Sequence, residues 1–386
     1  MAWTRRRLLQ GLGATGTLLL GCPSLDEPPG SPPATGPFAG GTYLGLAPLG
    51  PEATRPLDST YGEGLDGRRY VDLAELDADS LVLSNEDFYI RTREPDTLDP
   101  TDWVVQIDGL VSEEIALSLD DLEALSVDQG VHLMECSGNG GGGRFGLLSA
   151  ARWGGVPIGD VLDLVDALPS ATRVRIEGYD VHSAPSDFST PGCSWVFTRE
   201  QLEEAGAFLA LTMNDAPLPR DHGFPVRLLV PGWYGCCCAK WVQTITFVDD
   251  DEPATSQMQE FAQRTHQTEA HPLAADYAPA DIQLAAMPLR VERWRTEDGA
   301  LLHRIVGVLW GGTTTTDALT IDWGEGPVPV DTYDHSQTRT WTLWEHAWAP
   351  PGPGDYTLAM GVADPSVPTR RLDLGWYHRT VAIPAS

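Results

Sequence analysis

The residues best suited to chemistry stand between His132 and Arg144, in the run His-Leu-Met-Glu-Cys-Ser-Gly-Asn-Gly-Gly-Gly-Gly-Arg. Val131, Leu133 and Met134 read as the end of a buried strand that stops at Cys136. Beyond it the chain has almost no side chains, with Gly138 and then Gly140 to Gly143. A thiol at a strand end is a soft ligand, and bare backbone beside it leaves room for something bulky. Ser137 and Asn139 add short polar groups at the same rim. The same pattern also describes a core cysteine followed by a flexible glycine loop. These residues alone leave both readings open.

A second chemical signal is scarcity. Of 25 basic side chains only Lys240 is a lysine. A single ammonium among arginines points to a need for a compact point charge in place of a planar fork. The formal net charge of −30 argues against nucleic acid or an anionic membrane surface as partner. Any anion-binding pocket must therefore be a local exception.

The elements that position these residues read as α+β. Asn85 to Arg93 is an aromatic strand ending in two arginines, and Trp103 to Gly109 alternates as a half-buried strand. Ser118-Leu119-Asp120-Asp121-Leu122 is a capped helix start. Ile158 to Val165 has helical spacing, Arg173 to Gly178 is a strand and Thr198 to Ala205 a short helix. Pro225 to Pro231 and Trp241 to Val248 are further strands. Strands and helices mix without regular βαβ alternation, which excludes a doubly wound sheet. After the acidic Asp249 to Glu252, residues 256–286 read as a solvated connector. From residue 287 to 386, strands separated by Gly, Pro and Asp turns have the spacing of an immunoglobulin-like β-sandwich.

The N-terminus reads as an address. Thr4-Arg5-Arg6-Arg7-Leu8-Leu9 resembles a twin-arginine export signal, and Leu19-Leu20-Gly21-Cys22 resembles a lipoprotein cleavage box with Cys22 as the lipidated residue. Residues 23–66, rich in Pro, Gly, Ser and Thr, are expected to be a flexible tether. The apolar run after the arginines is too short to span a membrane as a stable helix. Cys193 and the run Cys236-Cys237-Cys238 remain. An oxidising compartment permits a disulfide from Cys193 to one of the three, without fixing which. A zinc site is the weaker reading, since two separated Cys-x-x-Cys pairs are lacking.

Three ordered blocks carry a resemblance. Met134 to Asn139 with Ser149 to Leu162 form the first, and Met213 to Arg227 running on to Val230-Pro231-Gly232 and Lys240-Trp241 the second. The third surrounds Trp341 to Glu345 and Gly354 to Leu358. Together they resemble the sulfite oxidase family of molybdopterin enzymes over residues 70 to 386. The resemblance implies that 67–255 is a molybdopterin-binding catalytic domain and that the cofactor is molybdenum-molybdopterin. It makes Cys136 the metal's protein thiolate and Arg91 the arginine near the metal. His222, Arg227 and Lys240 fall at its pterin-phosphate contacts. Arg93 stands where many members have histidine and is expected to bind the pterin, and Asp180 to accept a hydrogen bond from a pterin amine. A C-terminal sandwich in this family often mediates dimerisation, so a homodimer is expected.

The sequence departs from that family where arginines and a tyrosine surround the sulfite oxyanion. Gly140, Gly141, Leu211 and Cys237 occupy such positions, and Gly311-Gly312-Thr313-Thr314 lacks the arginine expected there. Arg144 and Arg152 are the candidates to compensate. Each lost guanidinium removes a charge-assisted contact to a dianion. The expectation is an exported, lipid-anchored oxidoreductase, periplasmic or at the cell surface. It would act on a small substrate, by sulfite-like oxidation or S- or N-oxide reduction. The chain has no haem or iron–sulfur motif, so electrons go to or from a separate cytochrome or quinone-linked protein. The rival is a catalytically silent cofactor-binding scaffold, or a binding module that uses the sandwich.

Overall fold

A computed structural model of the chain describes residues 35–186, 189–266, 278–334 and 340–385. The export signal, Cys22 and the first part of the tether lie outside the described residues. The remainder of the expected tether is not loose. Strands β1 (Thr42–Ala47) and β2 (Leu49–Gly50) join the two C-terminal sheets as edge strands, β1 antiparallel to the strand that carries Glu292. Ala47 and Leu49 are buried in them despite the Pro- and Gly-rich composition around them.

The central body is mostly strand. Arg68–Arg69 (β3) pairs with Ile90–Arg91 (β4) in a two-stranded ribbon. Val104–Gly109 (β5) and Ile115–Ser118 (β6) lead to helix α1 (Leu119–Leu125). There Ser118 and Asp121 form the reciprocal cap that the sequence announces. Strand β7 (Val127–Glu135) ends at the cysteine, and β8 (Leu148–Pro157) returns beside it. Helix α2 (Ile158–Leu162), β9 (Arg173–Gly178), β10 (Ser194–Thr198) and α3 (Arg199–Ala205) follow. Then come β11 (Phe208–Met213), β12 (Ala216–Pro217), β13 (Arg227–Leu229) and β14 (Val242–Val248). Two sheets result, in the orders β10-β9-β14-β5-β6 and β12-β11-β8-β7, with β13 on β11. Only β14 and β5 run parallel in them, because short hairpins and turns link most neighbours.

Residues 256–286 are not a solvated connector throughout. Helix α4 (Ser256–His266) buries Met258, Phe261, Ala262 and Thr265, the i, i+3, i+4, i+7 face of an amphipathic helix. No helix among the described residues is long and apolar enough to cross a membrane.

The C-terminal body consists of two facing antiparallel sheets. One is β1 with β15 (Ala285–Arg295), β16 (Leu301–Trp310), β20 (Trp341–Trp348) and β19 (Thr332–Tyr333), in the order β1-β15-β16-β20-β19. The other is β18 (Val328–Pro329), β17 (Leu319–Asp322), β21 (Gly354–Val362), β22 (Arg379–Ile383) and β2. Between them Glu292, fully buried, accepts from Arg290, Arg304 and Trp294. Arg290 also donates at 2.9 Å to the carbonyls of Ala74 and Leu76, which ties this body to the segment before the catalytic strands.

Candidate cofactor site

Cys136 is held by its neighbours. Its N–H donates to Leu147 O at 3.0 Å, and its carbonyl accepts from Asn139 N at 2.9 Å. Asn139 Oδ1 in turn accepts from Leu147 N, and the Gly138 N–H donates to Cys136 Sγ at 3.4 Å. Ser137 and Asn139 are buried in this turn and do not form an open rim. The glycine run is likewise packed. Gly141–Gly143 makes a 3-10 turn, and a Cβ on Gly143 would come within 2.0 Å of Tyr70. Arg144 and Phe145, both at positive φ, then turn the chain back into β8.

The room beside the thiol lies on its other side, in a cavity that Cys136 lines. Its lining includes Cys136, Met134, Tyr89 and Arg91, and from later in the chain Asp221, His222, Arg227 and Lys240. Asp180, Cys193, Cys236, Cys238 and helix α4 complete the wall. Burial pushes the Cys136 thiol up, and the Arg91 guanidinium opposes that shift. Arg91 stands opposite Arg68 in the β3–β4 ribbon. Its N–H groups reach Leu65 O, Thr92 Oγ1 and Ser189 Oγ at 2.8–3.1 Å. Burial, then the neighbouring Arg91, lowers Arg68 to about 10.

Three basic side chains converge elsewhere in the wall, with His222 neutral beside Arg227 and Lys240. His222 closes the turn Arg220–His222, Arg227 begins β13 and Lys240 precedes β14. Gly223, at φ 111°, lets them approach, since a Cβ there would lie 2.9 Å from Arg227 Cβ and 3.3 Å from Lys240 Cβ. Arg227 donates to His222 O and Cys238 O, while its buried Nε finds no partner among the described residues. Lys240 Nζ donates only to carbonyls, those of Asp221, Thr92 and Arg91. Burial and then Arg227 bring Lys240 down to about 7, and burial followed by Lys240 and Arg227 brings His222 to about 3. The nearest carboxylate, Asp221, is engaged by Arg93 Nε at 3.2 Å and by the Glu94 N–H. A buried guanidinium with an unpartnered Nε, beside an ammonium held only by carbonyls among the described residues, suits an anion.

The oxidoreductase molybdopterin-binding domain model matches residues 92–256. The chain is 26% identical to mouse mitochondrial sulfite oxidase over 300 residues, covering 70% of this chain and 54% of that one. It is 29% identical to chicken sulfite oxidase over 257 residues, covering 62% and 52%. Residues 92–256 are thus an oxidoreductase molybdopterin-binding domain, and the chain is similar to the sulfite oxidases. It spans about half the length of these sulfite oxidases. The crystal structure of the sulfane dehydrogenase SoxCD from Paracoccus pantotrophus superposes with a TM-score of 0.63 at 15% identity, over 84% of this chain and 89% of that one, and shares the fold.

A molybdenum cofactor is the group that a molybdopterin-binding domain takes, and the cavity fits it. The free buried Nε of Arg227 and the Lys240 ammonium beside it suit the cofactor's phosphate, and the Cys136 thiol suits a soft metal. Of the residues expected at the site, Arg91, Cys136, Asp180, His222, Arg227 and Lys240 all line this one cavity. Asp180 there accepts from Gly192 N and pairs with His182 Nε2 at 2.8 Å. Arg93 does not line it. Its guanidinium is drawn to Asp221 and borders an outer groove that shares Asp221 and His222 with the cavity.

Several other expectations change. Arg144 pairs with Glu52 and Arg152 with Asp128, both away from the cavity, because an exposed carboxylate lies in reach of each. Gly140, Gly141, Leu211 and Cys237 do not line the cavity either; Cys236 and Cys238 do. Cys193 and the three adjacent cysteines are free thiols, with Cys236 and Cys237 Sγ 4.0 Å apart and Cys238 Sγ accepting from Val230 N. No cluster of three or more His, Cys, Asp or Glu suited to a metal occurs among the described residues, which removes the zinc reading. Sequence reasoning missed α4 and Arg68. The apolar spacing of Met258, Phe261 and Ala262 was a signal for the helix; nothing local singles out Arg68.

Proposed function

We propose that the protein is an exported, lipid-anchored molybdenum oxidoreductase that moves an oxygen atom to or from a small substrate. The observation that carries this reading is one cavity lined both by a thiol and by a cluster of basic groups, Arg227, Lys240 and His222, whose neighbouring carboxylate Asp221 is engaged by Arg93 and the Glu94 N–H. When bound, the cofactor supplies a metal that cycles by two electrons. The chain's part is to hold it: Cys136 ligates, Arg227 and Lys240 grip the phosphate with His222, and Arg91 keeps positive charge beside the thiolate. Tyr89 and Met134 close the metal end against water.

Beside the thiol Arg91 lines the wall with its guanidinium engaged by Leu65 O, Thr92 Oγ1 and Ser189 Oγ, while Arg68 stands behind it on Ser189 and Arg264 is exposed. That favours a neutral or weakly charged substrate, a sulfoxide or an N-oxide, over sulfite. Electrons pass to or from a separate cytochrome or quinone-linked protein, and the two C-terminal sheets make an immunoglobulin-like dimerisation unit. The same engagement of Arg91 also suits a silent cofactor-binding scaffold. Molybdenum and pterin content of the purified protein, followed by steady-state turnover on sulfite and a panel of S- and N-oxides, decides. Metal without turnover on any of them leaves the scaffold, and a metal-free, pterin-free protein overturns both.

A further inference from the structure

Helix α4 turns one face into the cavity. Gln257, Glu260 and Phe261, three and four residues apart, line its wall. Gln257 Oε1 and Glu260 Oε2 are sealed from solvent and accept no hydrogen bond from any described residue. A buried acceptor without a donor costs free energy, so an unpaired one inside a ligand cavity marks where a ligand must donate.

The direction of the helix says which part of the cavity these atoms serve. At its start, Ser256 Oγ lies 3.4 Å from where a Cβ on Gly192 would stand, and the Gly192 N–H donates to Asp180. Two turns on, Arg264 Nη1 lies 3.5 Å from where a Cβ on Gly138 would stand, and that point is 3.8 Å from Cys136 Sγ. Glu260 therefore sits one turn short of the cysteine end. Lys240 and Arg227 come from other elements, at the anion site. Arg264 is exposed and stacks on Phe261 at 5.1 Å, and Arg91 is engaged by Leu65, Thr92 and Ser189.

We infer that Glu260, with Gln257 behind it, is the specificity wall of this cavity: it selects a small oxide whose non-reacting part carries N–H or O–H donors, and it turns dianions away. The inference rests on the oxidoreductase reading above. A substrate with donors satisfies both acceptors. One without them leaves two buried oxygens unpaired, and a wall built to pair with donors discriminates strongly against a ligand that lacks them. A carboxylate facing an approaching dianion adds like-charge repulsion, which is specificity by exclusion. The cofactor's own ring N–H groups are the competing source of donors.

The test uses the full-length holoprotein and its Glu260→Gln variant, which keeps the shape and removes the charge. Three readouts are taken: molybdenum and pterin per protein, the affinity for sulfate as an inert dianion by calorimetry, and kcat and KM for sulfoxides with and without a donor group. The expected result is unchanged cofactor content and sulfate binding tighter by about tenfold. The preference for donor-bearing sulfoxides should fall by about tenfold, mostly through KM. Loss of cofactor from the variant would assign the acceptors to the cofactor and overturn the inference. Unchanged sulfate affinity and unchanged preference would overturn it as well. Sulfate titration needs no turnover, so tighter sulfate binding in a protein inert to every oxide would support the wall while sinking the oxidoreductase reading.

Discussion

Trp310 Nε1 donates a 2.9 Å hydrogen bond to Glu135 Oε2, and this bond joins the C-terminal sheets to the residue immediately before Cys136. Glu135 is buried, and its other oxygen accepts from Asn139 Nδ2 at 3.4 Å, within the cysteine turn. Tyr377 packs on Trp310 and on Phe145, whose ring underlies Gly141. The second body therefore braces the cysteine loop from behind. Trp310→Phe keeps the ring stack and removes the donor. Leaving a buried carboxylate short of one partner should cost about 1–3 kcal/mol. Thermal unfolding should show that loss, together with faster release of molybdenum on dilution. A variant with unchanged melting and metal retention would mean that the bond braces nothing.

Cys136→Ser should fold and retain pterin but lose molybdenum-dependent turnover. A hydroxyl matches the thiol's size but is a hard, mostly protonated ligand for a soft metal. The hydrogen bonds that fix the turn come from the backbone and Asn139, so they survive the substitution. Circular dichroism, pterin fluorescence and metal content together test this. Full activity would remove Cys136 from the mechanism.

The buried lysine makes the cofactor-free protein sensitive to pH in a defined direction. Lys240 falls from 10.5 to about 7 on folding, through burial and Arg227. Below about 7 both states carry the proton and the folded state bears the full cost of the buried charge. Between about 7 and 10.5 the unfolded chain holds a proton that the folded one lacks, so stability rises with pH across that window. His222, lowered from 6.5 to about 3, adds a similar rise at lower pH that is complete by about 6.5. A bound phosphate favours the ammonium and flattens the upper slope. Melting temperature against pH, for the cofactor-free and loaded protein and for Lys240→Met, checks this. Equal slopes in the cofactor-free parent and the variant would refute the assignment of Lys240.

The cysteine and the anion site were legible because their chemistry is written in local runs: Cys136 in its glycine loop, and His222, Arg227 and Lys240 around Pro219 to Trp241. Strand β14 and the capped start of α1 were equally readable, since period and cap are local signals. The rest depends on partners far along the chain. Arg93 was read as a pterin contact, and its pair with Asp221, 128 residues away, is set by the fold. Edge strand β1 exists because β15 offers it a ladder, which composition cannot announce. Arg144 and Arg152 were available on charge alone, and only the fold shows that Glu52 and Asp128 hold them.

Glu292 anchors the buried ion network of the C-terminal body. It sits between Arg290 and Arg304, all three sealed from solvent, with Trp294 as a further donor. Glu292→Leu removes the shared counter-charge and leaves Arg290 with the carbonyls of Ala74 and Leu76 and Arg304 with the longer 3.7 Å pair to Glu345. Breaking a buried pair in this way costs about 3–5 kcal/mol. Denaturant unfolding should register a loss of that size, and limited proteolysis should open the segment around Ala74 and Leu76 that Arg290 pins. A loss below about 1 kcal/mol would mean that the arginines find other partners.

The arginine pairs also bear on sulfite. Arg144 and Arg152 were the two basic residues placed to replace a missing anion pocket, and both lie outside the cavity wall in ion pairs with exposed carboxylates. Arg144→Ala and Arg152→Ala should therefore leave kcat/KM for any accepted substrate within about twofold, because surface pairs contribute about 0–1 kcal/mol and neither group reaches the site. The parent protein should meanwhile show a high KM for sulfite. Each charged hydrogen bond lacking at the metal end is worth about 1.5–3 kcal/mol, so two missing contacts weaken dianion binding by at least about a hundredfold. Steady-state kinetics on the parent and both variants tests the pair of statements together. A micromolar KM for sulfite that rises sharply in Arg152→Ala or Arg144→Ala would show that these side chains swing into the cavity when an anion arrives, and the substrate preference drawn from the engaged Arg91 would be wrong.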